Sequence, residues 1–215
     1  MNEDRTAAAW HRPIRLSGEH VTLEPLSYAH ADGLRTALAD GELARAWYTN
    51  VPAPEAVEAY VDAALAMQGR GTAWAYAVLD AAGEVVGSTR YYDMDASVPR
   101  LQIGYTFYAP RVQRTSLNTE AKLLLLGHAF EALDCIAVGF ETSWFNLASR
   151  TAIARLGAKQ DGVLRNHRRH ADGSRRDTVA FSIIDNEWPA VKRNLQYKLE
   201  QHAAKQQASG GKTHG

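Results

Sequence analysis

The sequence predicts one mixed α/β domain, built on a twisted, mostly antiparallel sheet of about seven strands with helices on its faces. Three observations favour this fold class. Stretches with the 3.6-residue period of helices alternate with stretches that have the two-residue period of strands. Two pairs of strand-like runs are joined by short glycine-containing turns, which predicts antiparallel hairpins. The 215 residues, 46% of them hydrophobic, are enough to bury one core.

The two ends of the chain lack these periodic patterns. Residues 1–12 are mixed in character and are interpreted as an N-terminal extension. Residues 13–198 carry the periodic segments and form the single predicted domain. Residues 199–215 are small and polar and contain two adjacent glycines, so they are predicted to be a disordered tail.

Charge and composition argue against several classes of protein. Lysine plus arginine and aspartate plus glutamate both number 24, so the net charge is zero and no nucleic-acid or membrane partner is expected. No run approaches the roughly 18 consecutive apolar residues of a membrane span, and the acidic N-terminus does not resemble a secretory signal. We therefore expect a cytoplasmic protein. The single cysteine, Cys135, cannot form an internal disulfide and is predicted to be a buried, unreactive thiol.

The first half of the domain is predicted to hold a strand, two helices and a hairpin. The run HVTLEPL alternates in polarity and gives a strand that ends near Pro25. One helix follows with Ser27 as its N-cap, and a second begins at Pro54. The runs TAWAYAVLD and VVGSTRYYD flank a turn at Gly83 and form a hairpin.

The second half is predicted to hold a strand, a helix, a strand, a helix and a second hairpin. The strand RLQIGYTFY is stopped by a proline. From Leu117 onward, apolar residues cover several faces of a helix, which predicts burial against the sheet. After the strand CIAVGFETS, a helix begins at the N-cap Asn146 and ends at Gly157. The last two strands turn at Asp172-Gly173.

The stretch QRTSLNTEAKLLLL, residues 113–126, has the pattern of an anion-binding helix N-terminus. A polar turn passes directly into the apolar helix. The first N–H groups of a helix lack intrahelical acceptors and carry the positive end of its dipole, so they can donate several hydrogen bonds to a pyrophosphate. The glycines usual in a phosphate-binding turn are absent. The stretch is therefore either a phosphate site or the capped start of a core helix.

Taken in order, the segments resemble the GNAT acetyltransferase superfamily, in particular its RimJ/RimL-like branch, from about residue 14 to 195. LEPLSYAHADGL is similar to the first strand and helix of that branch, and IGYTFYAPRVQRTSLNTEAKLLLL to its cofactor strand and loop. NLASRTAIARLGAKQDGVLRNH is similar to the next helix and the strand after it, and DTVAFSIIDNEW to the last strand. The resemblance implies the GNAT acyl-CoA N-acyltransferase fold, with acetyl-CoA as co-substrate.

The family pattern implies a cofactor site in the loop after the fourth strand. The pattern is Gln or Arg, two residues, Gly, one residue, and Gly or Ala. Gln113 matches it, whereas Ser116 and Asn118 stand where the small residues are expected. These substitutions reduce clearance and access to positive φ, but they leave the main-chain N–H donors intact. The implied cofactor-binding residues are Phe107, Tyr108, Gln113, Arg114, Thr115, Ser116, Leu117, Asn118, Thr119 and Asn146.

Acetyl transfer to an amine needs a base for the amine proton, donors to the thioester oxygen and a proton for the leaving thiolate. The resemblance implies that Ser149 protonates the thiolate, although its place near an Asn N-cap is also ordinary capping. Some relatives carry a glutamate just before the IGY of strand four, but here Gln102 stands in that region and cannot accept a proton. Glu141 on the next strand is the nearest alternative base. A solvated carboxylate at that position, with a chain of waters as base, is the other interpretation.

Aromatic residues are predicted to line the acceptor pocket. They are Trp47, Tyr48, Tyr91 and Tyr92. Asp93 and Asp95 accompany them, and aromatics together with acids suit a cationic amine; a partly exposed hydrophobic rim is the alternative. The basic run RNHRRHADGSRR could contact RNA or an acidic protein, but a solvated hairpin is the default interpretation.

The sequence therefore predicts an acetyl-CoA-dependent N-acetyltransferase. The acetyl group would pass directly to a primary amine, either a small amine or a protein N-terminus, in a ternary complex, because the single thiol is expected to be buried. A CoA-binding GNAT-like module without turnover and an O-acetyltransferase are the alternatives. No metal is expected, and the protein would be a monomer or a homodimer.

Overall fold

The structure is a computed structural model that describes residues 10–39 and 42–210. Within those ranges it contains one eight-stranded sheet and six α-helices. The strands are β1 (Leu16–Ser17), β2 (Val21–Pro25), β3 (Ala73–Asp80), β4 (Val85–Asp95), β5 (Arg100–Tyr108), β6 (Ala137–Ser143), β7 (Lys159–Arg169) and β8 (Arg175–Ile184). The helices are α1 (Ala31–Ala37), α2 (Glu42–Arg45), α3 (Val57–Gly69), α4 (Ser116–Gly127), α5 (Leu147–Leu156) and α6 (Trp188–Gly210).

The sheet opens at its centre. Its strand order is β1-β2-β3-β4-β5-β6-β8-β7, and neighbouring strands are antiparallel except for β5 and β6. These two strands are parallel and pair only from Arg100–Gln102 to Ala137–Gly139. Both strands continue beyond Gln102 and Gly139 without pairing to each other. The gap between them is the feature that positions the site described below.

Helices cover both faces of the sheet, so each face has its own core. The face that carries α4, α5 and α6 is called the α4 face, and the face that carries α1 and α3 is called the α3 face. The core on the α4 face includes Leu125, Val138, Phe140, Ile153 and Leu195. The core on the α3 face includes Leu34, Val61, Ala75, Ala77 and Phe107. Each large apolar side chain buried in this way contributes roughly 1.5–3 kcal/mol, which fixes the helices on the sheet.

The predicted fold class is confirmed, and so are several of the turns that the sequence indicates. Gly83 and Gly173 take positive φ angles of 82° and 84° in the two predicted hairpins. Gly157 ends α5 at a φ of 112°, a left-handed conformation that costs glycine little because it has no Cβ. Asn146 is the N-cap of the same helix, as its side chain accepts a hydrogen bond from Ser149 N.

The C-terminal segment differs from the expectation. Residues 199–215 are predicted to be disordered, yet α6 continues to Gly210; residues 211–215 lie outside the described residues. Two causes favour the helix. The segment is rich in alanine, glutamine and lysine, which are good helix formers. The start of α6 is also anchored, because Trp188 is buried and stacks on Phe130 at a centroid distance of 5.4 Å.

The N-terminal extension predicted for residues 1–12 lies largely outside the described residues, which begin at Trp10. Trp10 packs against the core of the α4 face, and its indole N–H donates to Leu133 O at 3.0 Å. The strand β1, with two residues, is the one strand that the sequence does not predict. No helix in the described part of the chain is long and apolar enough to cross a bilayer.

Candidate active site

The gap between β5 and β6 is a cavity of about 360 Å³. Helices α4 and α5 bound it on the α4 face. Tyr48 to Val51 in the loop after α2, together with side chains from β7 and β8, bound it on the α3 face. Alternation along a strand places successive side chains on opposite faces. Phe140 therefore joins the core under α4, whereas the next residue, Glu141, points to the α3 face.

A β-bulge on β5 directs side chains to both sides of the cavity, the α3 side and the α4 side. Tyr105 and Thr106 together oppose Thr89, where a regular ladder would have one residue on each strand. Tyr105 takes a left-handed φ of 52°, and its ring lies on the α3 face, 4.2 Å from the buried guanidinium of Arg90. Thr106 turns towards the α4 face, where its hydroxyl accepts a hydrogen bond from Lys122 Nζ at 3.2 Å. The cavity therefore has two chemically different sides.

The helix N-terminus that the sequence singles out borders the cavity on its α4 side. Thr115 is the N-cap of α4: its hydroxyl accepts a hydrogen bond from Leu117 N at 3.3 Å and donates to Val112 O at 2.7 Å. The N–H groups of Ser116 and Asn118, in the same first turn, have no intrahelical acceptor. They remain available to a ligand.

The substituted glycine positions do not require a left-handed backbone. Ser116 is the first residue of α4, and the positive φ of the loop, 62°, belongs to Arg114. The prediction that serine and asparagine reduce a needed access to positive φ at these positions is therefore wrong. The preceding turn is fixed by Gln113, whose side-chain amide donates to Tyr108 O at 2.9 Å.

The predicted loop residues are divided between two hollows. Asn118 lines the main cavity. Thr115, Ser116 and Leu117 line a second, more open hollow of about 340 Å³ beside Asp80. The three other predicted loop residues line neither hollow; they are Gln113, Arg114 and Thr119.

Four further predicted residues line the cavity: Phe107, Tyr108, Asn146 and Ser149. The Phe107 ring belongs to the core of the α3 face, and the other three lie on the α4 side. Asn146 Oδ1 accepts a hydrogen bond from Ser149 N at 3.0 Å, so the capping interpretation of this pair is correct. Both residues also line the cavity. The Ser149 hydroxyl is half-buried and is not engaged by another described residue.

Lys122 is a cavity residue that the sequence analysis missed. Its side chain is only 6% exposed, and within the described residues its amine has a hydroxyl partner, Thr106, but no carboxylate. Burial disfavours the charged form and lowers the pKa of Lys122 from 10.5 to about 7. The sequence did contain one signal for its position. Lys122 follows Asn118 by four residues, so the two share one face of a buried helix and can line the same cavity.

The α3 side of the cavity carries the polar side chains of the predicted acceptor site. The Glu141 side chain is 13% exposed, and its Oε2 accepts a hydrogen bond from Arg168 at 2.9 Å. Tyr92 donates its hydroxyl to Gln102 Oε1 at 2.9 Å, and Gln102 in turn donates to Asp93 at 3.1 Å. Burial, reinforced by the nearby Glu141, raises the pKa of Tyr92, so this phenol stays a hydrogen-bond donor.

The predicted acceptor residues are partly corrected. Tyr48 and Tyr92 line the cavity, and Trp47 packs beside it with its ring 5.7 Å from that of Tyr48. Tyr91 does not reach the cavity, so its prediction as an acceptor-binding residue is wrong. Alternation along β4 turns it to the α4 face, where it is fully buried and donates its hydroxyl to Leu125 O at 2.6 Å.

The charge of the acceptor side also differs from the expectation. Asp93 and Asp95 do not line the cavity; Asp95 instead caps a turn by accepting from Ser97. The basic run, expected to be a solvated hairpin, contributes Arg168 and Arg176 to the cavity lining. Side-chain direction on a hairpin depends on its register, which the sequence did not define closely enough to find these arginines. No cluster of His, Cys, Asp or Glu within the described residues could hold a metal ion.

Comparisons with known proteins agree with this geometry. Residues 20–159 match the family described as the acetyltransferase (GNAT) domain. A solved GCN5-related N-acetyltransferase from Brucella melitensis is 30% identical, with a TM-score of 0.77 over 86% of this chain and 85% of its own. The uncharacterized N-acetyltransferase YoaA of Bacillus subtilis is 24% identical over 79% of this chain and 96% of its own. Mycobacterium smegmatis RimJ, solved with CoA-disulfide, shares the fold at 19% identity and a TM-score of 0.73, covering 87% of this chain and 96% of its own.

Proposed function

The chain belongs to the GNAT acetyltransferase family, and on that premise we propose that it transfers an acetyl group from acetyl-CoA directly to a primary amine. One observation carries this proposal: the start of α4, with its free main-chain donors, meets the cavity between β5 and β6 at Asn118, and a mostly buried, ion-paired carboxylate lies on the α3 side of the cavity. The main-chain donors suit the phosphates of a phosphate-bearing thioester. The carboxylate suits an amine that must lose a proton.

The α4 side fits the CoA moiety in two ways. The N–H groups of Ser116 and Asn118 would donate to the pyrophosphate at the positive end of the α4 dipole. Beyond Gln102, the edge of β5 that faces β6 is unpaired and can hydrogen-bond the amides of the pantetheine arm as an added strand would. Phe107 and Tyr108 lie on this part of β5. The CoA-disulfide held by M. smegmatis RimJ, which has the same fold, supports this assignment.

The α3 side provides a base for the amine. Only a neutral amine attacks a thioester, and Glu141 is the one carboxylate among the described residues that line the cavity. We assign it the proton that the amine gives up. As the new N–C bond forms, the C–S bond breaks and the CoA thiolate leaves. The Ser149 hydroxyl, on the α4 side, is assigned the donation of a proton to this thiolate. Ser149 then regains a proton from solvent and Glu141 releases one to it, so the protons balance over one turnover.

Transfer is direct because the chain has no thiol at the site. Cys135 is 2% exposed and does not line the cavity. Burial, with a smaller contribution from Asp134, raises the pKa of its thiol to about 12, so it is not a nucleophile at neutral pH. The amine and acetyl-CoA must therefore be bound at the same time.

Two measurements test the proposal. Titration calorimetry with acetyl-CoA should show binding, and a thiol-release assay over matched panels of amines and alcohols should show release with amines. Binding without release from any acceptor would instead identify a CoA-binding module. Release with alcohols alone would identify an O-acetyltransferase. The absence of binding would contradict both the proposal and its alternatives.

A further inference from the structure

Two arginines of the β7–β8 hairpin lie at the acceptor side of the cavity. Arg168 on β7 and Arg176 on β8 are direct cross-strand partners, and both line the cavity. Like charges placed opposite each other on neighbouring strands repel and destabilise the pair. An anion beside such a pair relieves this repulsion.

The register of the hairpin is what creates this arginine pair. If the pairing continued regularly after Leu164, Asn166 would stand opposite Arg176. Two extra residues on β7 instead bring Arg168 to that position. Asn166 takes a left-handed φ of 52°, which asparagine tolerates, and its N–H donates to the Asp177 carboxylate at 2.7 Å. The irregular register is therefore held by its own hydrogen bond.

One of the two arginines lacks a counter-charge. Arg168 pairs with Glu141, whereas Arg176 makes no ion pair with a described residue, and its buried Nε has no hydrogen-bond acceptor. Glu141 is the one carboxylate lining the cavity in the described part of the chain, so two guanidinium groups and one carboxylate leave one positive charge unbalanced. Burial and the neighbouring Arg168 lower the pKa of Arg176, while Glu141 opposes them. A buried donor without a partner costs free energy that a bound anion would remove.

We propose that the acetyl acceptor is an amine that carries a carboxylate close to its amino group, and that Arg176 binds this carboxylate. The inference rests on the proposed function and narrows its substrate class. A guanidinium matches a carboxylate through two parallel hydrogen bonds. Glu141 lies beside the arginines with the opposite charge, so an acceptor with one positive and one negative group matches the pair. A free amino acid offers this chemistry, and so does a peptide with an acidic residue at its N-terminal end.

The substrate test compares acceptors that differ only in the carboxylate. The twenty L-amino acids are assayed for thiol release as free acids and as C-terminal amides, and alanyl-aspartate amide is compared with alanyl-asparagine amide. We expect kcat/KM to be at least about tenfold higher for the carboxylate in one of these two arms. The amide has the less basic amine, so intrinsic reactivity favours the opposite order. The arm that shows the preference identifies the source as a free amino acid or a peptide.

The variant test assigns the preference to one side chain. Arg176→Met should raise the KM for the carboxylate acceptor by about tenfold to a hundredfold, with little change in the KM for its amide or in the affinity for CoA. Arg176→Lys keeps the charge and should retain part of the preference. Arg175→Met is the matched control, because Arg175 is exposed on the same strand and does not line the cavity. A thermal melt of each variant shows that it is folded.

Equal kcat/KM for acid and amide in both arms, or a preference that survives in Arg176→Met, would overturn the inference. If no acceptor releases thiol although CoA binds, the proposed function fails, and the arginine site is then tested separately. In that case an N-acetyl amino acid and its amide are titrated into the CoA-saturated protein. Binding of the acid alone, lost in Arg176→Met, supports the carboxylate site, and equal or absent binding of the two contradicts it.

Discussion

The two sides of the cavity are built in different ways. The phosphate donors on the α4 side come from one continuous stretch, residues 113–119, and they are main-chain N–H groups at a helix start. The α3 side brings together Glu141 from β6 with Arg168 and Arg176 from two other strands, and its groups are all side chains. Main-chain chemistry survives substitution of the side chains. Side-chain chemistry depends on register, and a single bulge can change it.

The largest effect is expected at the acceptor side. Glu141→Gln keeps the size of the side chain but removes the base, so kcat should fall by about a hundredfold or more. The affinity for CoA should stay unchanged, because Glu141 is not on the α4 side. Stopped-flow thiol release and calorimetry measure the two quantities. Glu141→Asp restores a carboxylate and should recover part of kcat, and Glu84→Gln, at an exposed hairpin turn, is the control. Equal kcat in wild type and Glu141→Gln would show that the base is another group or water.

Substitutions at Ser149 test the proton-donor role that is assigned to its hydroxyl on the α4 side. Ser149→Ala should lower kcat by about a hundredfold and leave the helix cap intact, because the cap is made by the Ser149 N–H and not by its hydroxyl. Ser149→Thr keeps a hydroxyl and should retain more activity. The pH profile of kcat separates the two roles: loss of a proton donor lowers the rate most at high pH. An unchanged kcat in Ser149→Ala would leave this serine with its capping role alone.

A pair of substitutions at Ser116 tests whether main-chain donors bind CoA. Ser116→Pro removes one N–H at the first helical position, where proline is tolerated, and the extended backbone of Thr115 is compatible with a following proline. The Kd for CoA should rise by about tenfold to a hundredfold, because a hydrogen bond to a charged group is lost. Ser116→Gly keeps the N–H and should leave the Kd unchanged or lower it. If Ser116→Gly alone weakens binding tenfold, the serine hydroxyl is itself a ligand.

The last prediction concerns the stability of the protein, not its activity or binding, and it centres on Lys122. Burial lowers the pKa of Lys122 to about 7, so between pH 7 and its unfolded value of 10.5 the unfolded chain binds more protons. The free energy of unfolding should therefore rise with pH, by at most about 1.4 kcal/mol per unit from this group. Cys135, whose pKa is raised from 9.0 to about 12, opposes this trend above pH 9, so the useful window is pH 7–9.

Lys122→Met should remove this pH dependence and, within this window, stabilise the protein most at pH 7, where folding must either take the proton from the amine or bury its charge. Denaturant unfolding at pH 7, 8 and 9 measures the free energy of unfolding of the wild type and of the variant. Lys159→Met is the control, because the Lys159 side chain is 76% exposed. A slope that persists in Lys122→Met would mean that another group titrates in this window.

The sequence allowed much of the fold and of the α4 side to be predicted. The fold follows from local periods and turn residues such as Gly83 and Gly173, which act through their own backbone conformation. The helix start at Ser116 was predicted to within one residue, because it too follows from the local sequence pattern. Tyr91 and Arg176 were misjudged because strand register decides which face a side chain points to, and register depends on distant pairing and on bulges. Lys122 was missed because its burial is a tertiary property.

The most direct measurement is amide NMR of the protein titrated with CoA. The account predicts that the largest shifts fall on the N–H groups of Ser116 and Asn118 and along β5 beyond Gln102. It also predicts small shifts in the β7–β8 hairpin until an acceptor is added. Shifts confined to residues away from both the start of α4 and the gap between β5 and β6, or no shifts at saturating CoA, would contradict the central claim that acetyl-CoA binds along this gap and the adjacent start of α4.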